Sequence, residues 1–344
     1  MALSKTAFCT ALAALMFALI LYAVKHGALD VSWREVIQAI FGYGQNDDLK
    51  YIIWNLRLPR IIAAVVVGAC LAVTGVVLQN ILNNPLASSF TLGISHGAAF
   101  GASFAILVMG AGGLSHIGSG VVLSKLHSIA AGAFAGSLAA SGVILLFSFF
   151  SGITAQGLIL VGIAMSSFFN ACTMLLQFFS TDSQLAAAVF WTFGDLGKGG
   201  WTEAFIITGV LIAGCLALIK FSWDYDVIRW GQATAEGLGV DVKKVRLISL
   251  LITSLMAATA TAYYGVIGFV GLIAPHMVRL VFRHSGHLFL ITASGLLGGV
   301  FLLFADILGQ SIVSPLSLPV GILTAFTGVP VFLFLLLKRS VKDA

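Results

Sequence analysis

The sequence predicts an all-α polytopic membrane protein of about ten transmembrane helices with an inverted internal repeat, all in one transmembrane domain spanning residues 1–344. Composition is the first reason. The chain is 59% hydrophobic and 9% charged, with a mean hydropathy of +1.06, whereas soluble domains carry about a quarter charged residues. Too little polar surface exists to face water, so lipid is the solvent and the spans must be helices. The second reason is a succession of apolar runs long enough to cross a bilayer. The third is an echo: Thr74-Gly75-Val76-Val77 through Asn84-Pro85 lines up with Tyr264-Gly265-Val266-Ile267 through Ala274-Pro275. Transporters built from inverted repeats break their helices at corresponding points in this way.

The runs fall at residues 7–24, 61–82, 90–110, 129–150, 157–179, 204–221, 247–265, 288–308 and 320–337. A shorter run, 266–281, holds Pro275 and brings the total to about ten, which puts both termini on one side. The first run follows a lone Lys5 and has the length of a span, so it reads as a retained helix and not a cleaved leader. Orientation follows from Lys and Arg. With residues 222–246 in the cytoplasm, eleven basic residues lie inside against seven outside, and both termini are cytoplasmic. The net charge of +5 belongs to this bias, not to a nucleic-acid surface. All six Trp fall near expected span ends, as an interfacial belt requires. Cys9, Cys70, Cys172 and Cys215 sit singly in apolar runs, with no metal or disulfide spacing, and read as packing residues.

Residues 222–246 form the polar island of the chain. They hold Asp224, Asp226, Arg229, Glu236, Asp241, Lys243, Lys244 and Arg246, with Trp223 and Trp230 beside Gly237 and Gly239. That composition suits a docking surface of one or two short helices more than a linker.

Other motifs carry two readings each. Arg57-Leu58-Pro59-Arg60 opens the second span, with Pro59 suited to a first helical turn. Its two arginines either snorkel to headgroups or present guanidinium forks to carboxylates of an external partner. In Gln79 through Ala87, Asn83 or Asn84 can cap the next helix, and Gln79 can face a passage. Gly93-Ile94-Ser95-His96-Gly97 spells a hydrolase motif, which needs a strand–turn–helix that a small-residue helix does not provide. His96 is a packing histidine or a pathway residue. Gln156, Ser166, Ser167, Asn170 and Gln177 along the fifth span are either interhelical glue or the wall of a passage for a large hydrophilic cargo. Asp306 is functional or pairs with the outer arginines. His276, Arg279 and Arg283 share a helix face as snorkelling cations. No phosphate-binding loop is present, so a pump built on this chain takes its energy from another.

RLPR, GACLAVTGVVLQNILNNPLASSFTLGISHGAAFGA, the loop at Ala235–Gly239, GVIGFVGLIAPHMVRL and LPVGILTAFTGVPVFLFLL occur in this order. Together they resemble the FecCD-type permeases, the membrane subunits of bacterial ATP-binding-cassette (ABC) importers for iron–siderophores, heme, cobalamin and related chelates. The resemblance covers nearly the whole chain. It implies a multi-pass subunit of the bacterial inner membrane, paired with a second permease chain as a homo- or heterodimer. Two cytoplasmic ATPase subunits and an extracytoplasmic substrate-binding protein complete the assembly. By resemblance, Ala235, Glu236, Gly237, Leu238 and Gly239 couple to the ATPase, with Arg229 beside them as a further coupling candidate, and Arg57 and Arg60 meet the binding protein. Gln79, Asn83, Asn84, His96, Gln156, Ser166 and Asn170 are the pathway candidates. No catalytic or metal-binding residue and no cofactor is expected in the chain, with ATP and Mg on the partner ATPase. Departures are Asn83 where many relatives have Arg, Ser89 where they have Pro, Gln310 near a usual outer Arg, and His96 in place of a small residue. The expected cargo is a ferric siderophore or similar metal chelate, with heme, cobalamin or molybdate as alternatives. An intramembrane hydrolase using Ser95 is the rival from another class, and an ion-coupled carrier a third option.

Overall fold

The computed structural model describes residues 4–27, 31–42, 47–111, 114–117, 120–123, 126–150, 154–313 and 316–343. Its helices are α1 (Lys5–Lys25), α2 (Trp33–Phe41), α3 (Asp47–Tyr51), α4 (Leu58–Ile81), α5 (Ile94–Leu107), α6 (Leu126–Phe150), α7 (Ala155–Phe178) and α8 (Asp182–Thr192). They continue with α9 (Trp201–Ile219), α10 (Ser222–Ile228), α11 (Gln232–Gly237), α12 (Val242–Tyr264), α13 (Val270–Val281), α14 (His287–Ile312) and α15 (Val320–Asp343). Among the described residues, seven helices are long and apolar enough to cross a membrane, and three shorter apolar ones, Ile94–Leu107, Val270–Val281 and Val320–Leu333, complete the ten expected spans. Between α5 and α6 a strand pair, β1 (Leu114–Ile117) and β2 (Gly120–Leu123), joins antiparallel, outside the spans.

Contacts between the ends respect an alternating path. At one end Arg57 reaches the carbonyls of Val24 and Lys25, Arg60 reaches Asp306, and the Trp201 indole donates to the Trp54 carbonyl. At the other, Asn80 reaches the Tyr225 carbonyl and Asp226 reaches His287. These are called the Arg60 end and the Asp226 end below.

α4 is the axis of the bundle, packed against α14, α12, α13 and α9. Its spanning window is 83% buried and that of α12 is 72% buried, against 17% for α1 and 22% for α7, so the first pair is core and the second rim. Small residues make this packing possible, because helices in lipid associate by close van der Waals contact. A Cβ on Gly68 would run into the Gly298 carbonyl and one on Gly298 into that of Gly68. The same mutual contact joins α5 and α6, where Gly97 and Gly101 face Gly136 and Gly132. The small residues around Ser95 are therefore a packing seam, as their pattern predicts.

Three local expectations change. Pro59 does not start a free helix: α3, a π-helical turn over Ile52–Arg57 and α4 run on without a gap, and the Leu58 N–H bonds back to Ile53. The two Gly–Pro copies take unlike forms, since Gly75 lies within α4 while Gly265 ends α12 with a positive φ. Correspondence between the halves lies instead in α4–α5 and α12–α13, each a long buried helix, a break, and a short helix entered through a left-handed residue, Gly93 or Phe269. Trp191 is fully buried and no part of a belt.

Candidate functional site

The two breaks meet at one cleft. Irregular backbone at membrane depth is tolerated where it lines a cavity or is buried in protein, and the segments around Phe90 and Val266–Phe269 do line one. The cleft holds about 640 Å³ and is walled by Phe90, Phe193, Val266, Phe269, Ile322 and Phe326, among others. Its floor is pinned by backbone bonds: Phe193 bridges Val266, the Asp195 N–H donates to the Tyr264 carbonyl, and the Gly321 N–H to that of Gly194. Phe269 holds a φ of 66° at the head of α13. For a bulky residue that conformation is strained, and such strain concentrates where a segment switches.

A second recess of about 250 Å³ shares Phe90, Thr192 and Val266 with the cleft and adds Ser95, His96, Asn170, Thr173, Met174 and Gln177. Two of the pathway candidates, His96 and Asn170, thus come together, joined by Gln177. The His96 ring lies against Phe90, with centroids 4.8 Å apart. The remaining candidates go elsewhere. Gln79 does not face a passage: it is buried and donates to the Gly271 carbonyl, tying α4 to α13. Asn83 and Asn84 cap no helix, because twelve residues of turns separate α4 from α5, whose N-cap is Gly93. Asn84 instead accepts the Leu86 N–H, and Asn83 takes the left-handed position just beyond α4. Ser166 bonds back to the Gly162 carbonyl beneath Gly93, and Gln156 is exposed in the first turn of α7. Met174 and the aromatic wall carry no spacing signal that marks them in the sequence.

At the Arg60 end the expected external forks are both used internally. Arg57 is buried and donates to the last carbonyls of α1, Val24 at 2.6 Å and Lys25 at 3.0 Å, where a cation suits the helix dipole. Arg60 binds Asp306 through Nε and Nη2 and lies 3.7 Å from Asp195. Asp306 does pair with the outer arginine, one of its two expected readings, and Gln310 donates to its second oxygen at 2.8 Å. Nearby, Lys198 donates to the carbonyls of Trp191 and Phe193 at the end of α8. Burial pulls its pKa down to about 8, against the opposing pull of Asp195.

The Asp226 end carries a knob made of α10 and α11. Tyr225, Val227, Ile228, Ala235 and Val240 are buried and form its root. Around them Trp223, Trp230 and Leu238 stand 60–70% exposed, with Glu236, Gly237 and Gly239 also open. The tip is closed by Val240 N–H bonding to Ala235 and by Gly239 at φ 85°, a left-handed stop that glycine adopts at no steric cost. Arg229 donates to the Ser285 carbonyl and covers the Trp230 ring. Of the six coupling candidates, Ala235 is therefore a root residue, and Arg229, Glu236, Gly237, Leu238 and Gly239 are surface. Arg283 lies beyond the end of α13, so only His276 and Arg279 share that helix.

Ser95 is buried in the first turn of α5 and follows turns, not a strand, so the nucleophile motif lacks its required setting. Among the described residues no group of His, Cys, Asp or Glu could hold a metal ion.

Residues 15–338 match the FecCD transport family. An ABC transporter permease of Methanocaldococcus jannaschii is 48% identical over 92% of this chain and 90% of its own length. The hemin transport system permease protein HmuU of Yersinia pestis is 35% identical over 94% of this chain and 93% of its own. Among solved structures, a metal-chelate type ABC transporter in an inward-facing conformation superimposes with a TM-score of 0.82 at 28% identity, covering 96% of this chain and 98% of that one. The chain belongs to the FecCD transport family and is a multi-pass permease subunit of an ABC importer.

Proposed function

We propose that this permease carries a ferric siderophore or similar metal chelate across the bacterial inner membrane, with both termini and the Asp226 end in the cytoplasm. Two such subunits, identical or related, face each other across the cleft. ATPase subunits seat on the knob of residues 222–246, and a loaded binding protein docks at the Arg60 end. In the present conformation that docking finds Arg57 and Arg60 engaged inside the chain. The observation that carries the reading is the knob: exposed Trp223, Trp230 and Leu238 on a buried root. Large apolar residues presented on a rigid polar stretch mark a protein-binding surface. The cargo class is supported by the relatives, one named for hemin and one for a metal chelate, and by a wall of aromatics and uncharged polar groups, which suits a bulky chelate that passes without being held. ATP binding closes the motor pair, the knob transmits the movement, and the two ends of the cleft open in turn.

Reconstitution in proteoliposomes with the ATPase subunits and binding protein tests this. Uptake of a labelled ferric siderophore is expected to require both partners and ATP, with hemin, cobalamin and molybdate as the comparison panel. Uptake by the permease alone, driven by an ion gradient, would contradict the reading.

A further inference from the structure

We propose that Asp226, His287 and Asn80 form the joint through which the knob drives the membrane helices, with α14 as the driven rod. The proposal rests on the ATPase seating at residues 222–246. Asp226 projects from α10 onto the first turn of α14. One carboxylate oxygen accepts the His287 backbone N–H at 2.9 Å and the His287 Nδ1–H at 2.7 Å. That is an N-cap supplied from another helix, and a carboxylate there suits the helix dipole. The imidazole continues the chain of bonds. Asn80, at the end of α4, donates to His287 Nε2 at 2.9 Å and to the Tyr225 carbonyl of α10 at 3.1 Å. A neutral ring with its proton on Nδ1 satisfies all of these together. The His287 side chain is 2% exposed and that of Asp226 38%, so the imidazole lies inside and the carboxylate reaches it from the surface.

The far end of the same helix is anchored as well. Asp306 of α14 holds Arg60, which lies 3.7 Å from Asp195. Asp195 follows directly on Phe193 and Gly194 in the cleft wall. Between the two ends, the mutual contact of Gly68 and Gly298 keeps α14 seated on α4. α14 is thus joined to the knob at one end and to the cleft wall at the other. Two further links leave the knob without touching α14 itself: the Tyr225 hydroxyl bonds Ser249 of α12 at 2.6 Å, and Arg229 donates to the Ser285 carbonyl in the loop ahead of α14.

The test uses the full importer in proteoliposomes, with the four native cysteines replaced by alanine and I322C placed in the cleft wall. The readout is the rate at which a water-soluble maleimide labels position 322, with and without ATP, beside basal ATPase rate and ATPase co-purification. With the joint intact, ATP is expected to change labelling about ten-fold or more. H287A and N80L are expected to keep ATPase binding and to hydrolyse ATP within about two-fold of the parent, while the ATP-dependent change in labelling disappears. H287N, which keeps an N–H donor near the Nδ1 position, is expected to restore most of it. An ATP response of parental size in H287A and N80L would overturn the proposal, as would ATPase binding and labelling response falling together. If H287A fails to assemble, N80L alone decides, and a full labelling response in N80L would overturn the joint. A parent that never binds ATPase through residues 222–246 refutes the docking and the joint with it, whereas a parental labelling response in the variants of an importer that does bind refutes the joint alone, so the two failures are distinct.

Discussion

Arg60 and Asp306 form a bidentate ion pair between α4 and α14, with Nη2 2.8 Å from Oδ1 and the Asp306 side chain 1% exposed. Removing one partner strands a buried charge, which costs about 3–5 kcal/mol. R60M and D306L singly are therefore expected to lower the unfolding temperature in detergent sharply. The double variant R60M/D306L should be less destabilised than the two singles added together. Additive losses would mean that the pair is not coupled.

The Gly101–Gly132 contact sets the distance between α5 and α6. A side chain at either position meets backbone that cannot move away. G101L or G132L is expected to abolish accumulation of folded protein, read as loss of the monodisperse peak on size exclusion. G142L is the control, since a Cβ on Gly142 meets nothing within 4 Å, and should leave that peak unchanged.

Arg57 holds the last turn of α1. R57A is expected to loosen that turn, costing up to about 2 kcal/mol as a partly buried cation at a helix C-terminus can. Faster amide exchange at residues 22–26 is the check. Affinity for the binding protein is expected to change little, because the guanidinium already serves Val24 and Lys25.

Lys198 gives a pH signature. Its pKa in the fold is about 8, below its ordinary value of 10.5. Below pH 8 the lysine is charged folded or unfolded, and the fold bears the full burial penalty. Between the two values the unfolded chain binds more protons, so stability rises with pH, by up to about 3 kcal/mol across the window. Thermal unfolding from pH 7.5 to 10 should show this rise in the parent and not in K198M. Parallel curves would place Lys198 in ordinary solvent.

Much of this was legible beforehand. Membrane class and span count follow from composition and run length, because a bilayer leaves few alternatives. The knob was visible at residues 222–246 because its charges interrupt an apolar chain. The polar site was legible only in part. His96 and Asn170 do share a recess, but Gln79 and Asn83 carry the same polarity and face a helix neighbour and a turn. Polarity in a span marks a hydrogen bond without naming its partner. Arg57 and Arg60 show the same limit, since the carbonyls of α1 and the carboxylate of Asp306 lie far away in sequence. Asp226 and His287, 61 residues apart, leave no spacing for a pattern to catch.

The knob as ATPase seat is the central claim, and a photo-crosslinking residue at position 238 tests it most directly. Leu238 is 60% exposed at the tip. In the assembled importer it is expected to crosslink to the ATPase subunit, with a yield that changes when ATP is trapped. Crosslinks to the binding protein alone, or none to the ATPase in an importer that still hydrolyses ATP, would contradict the account.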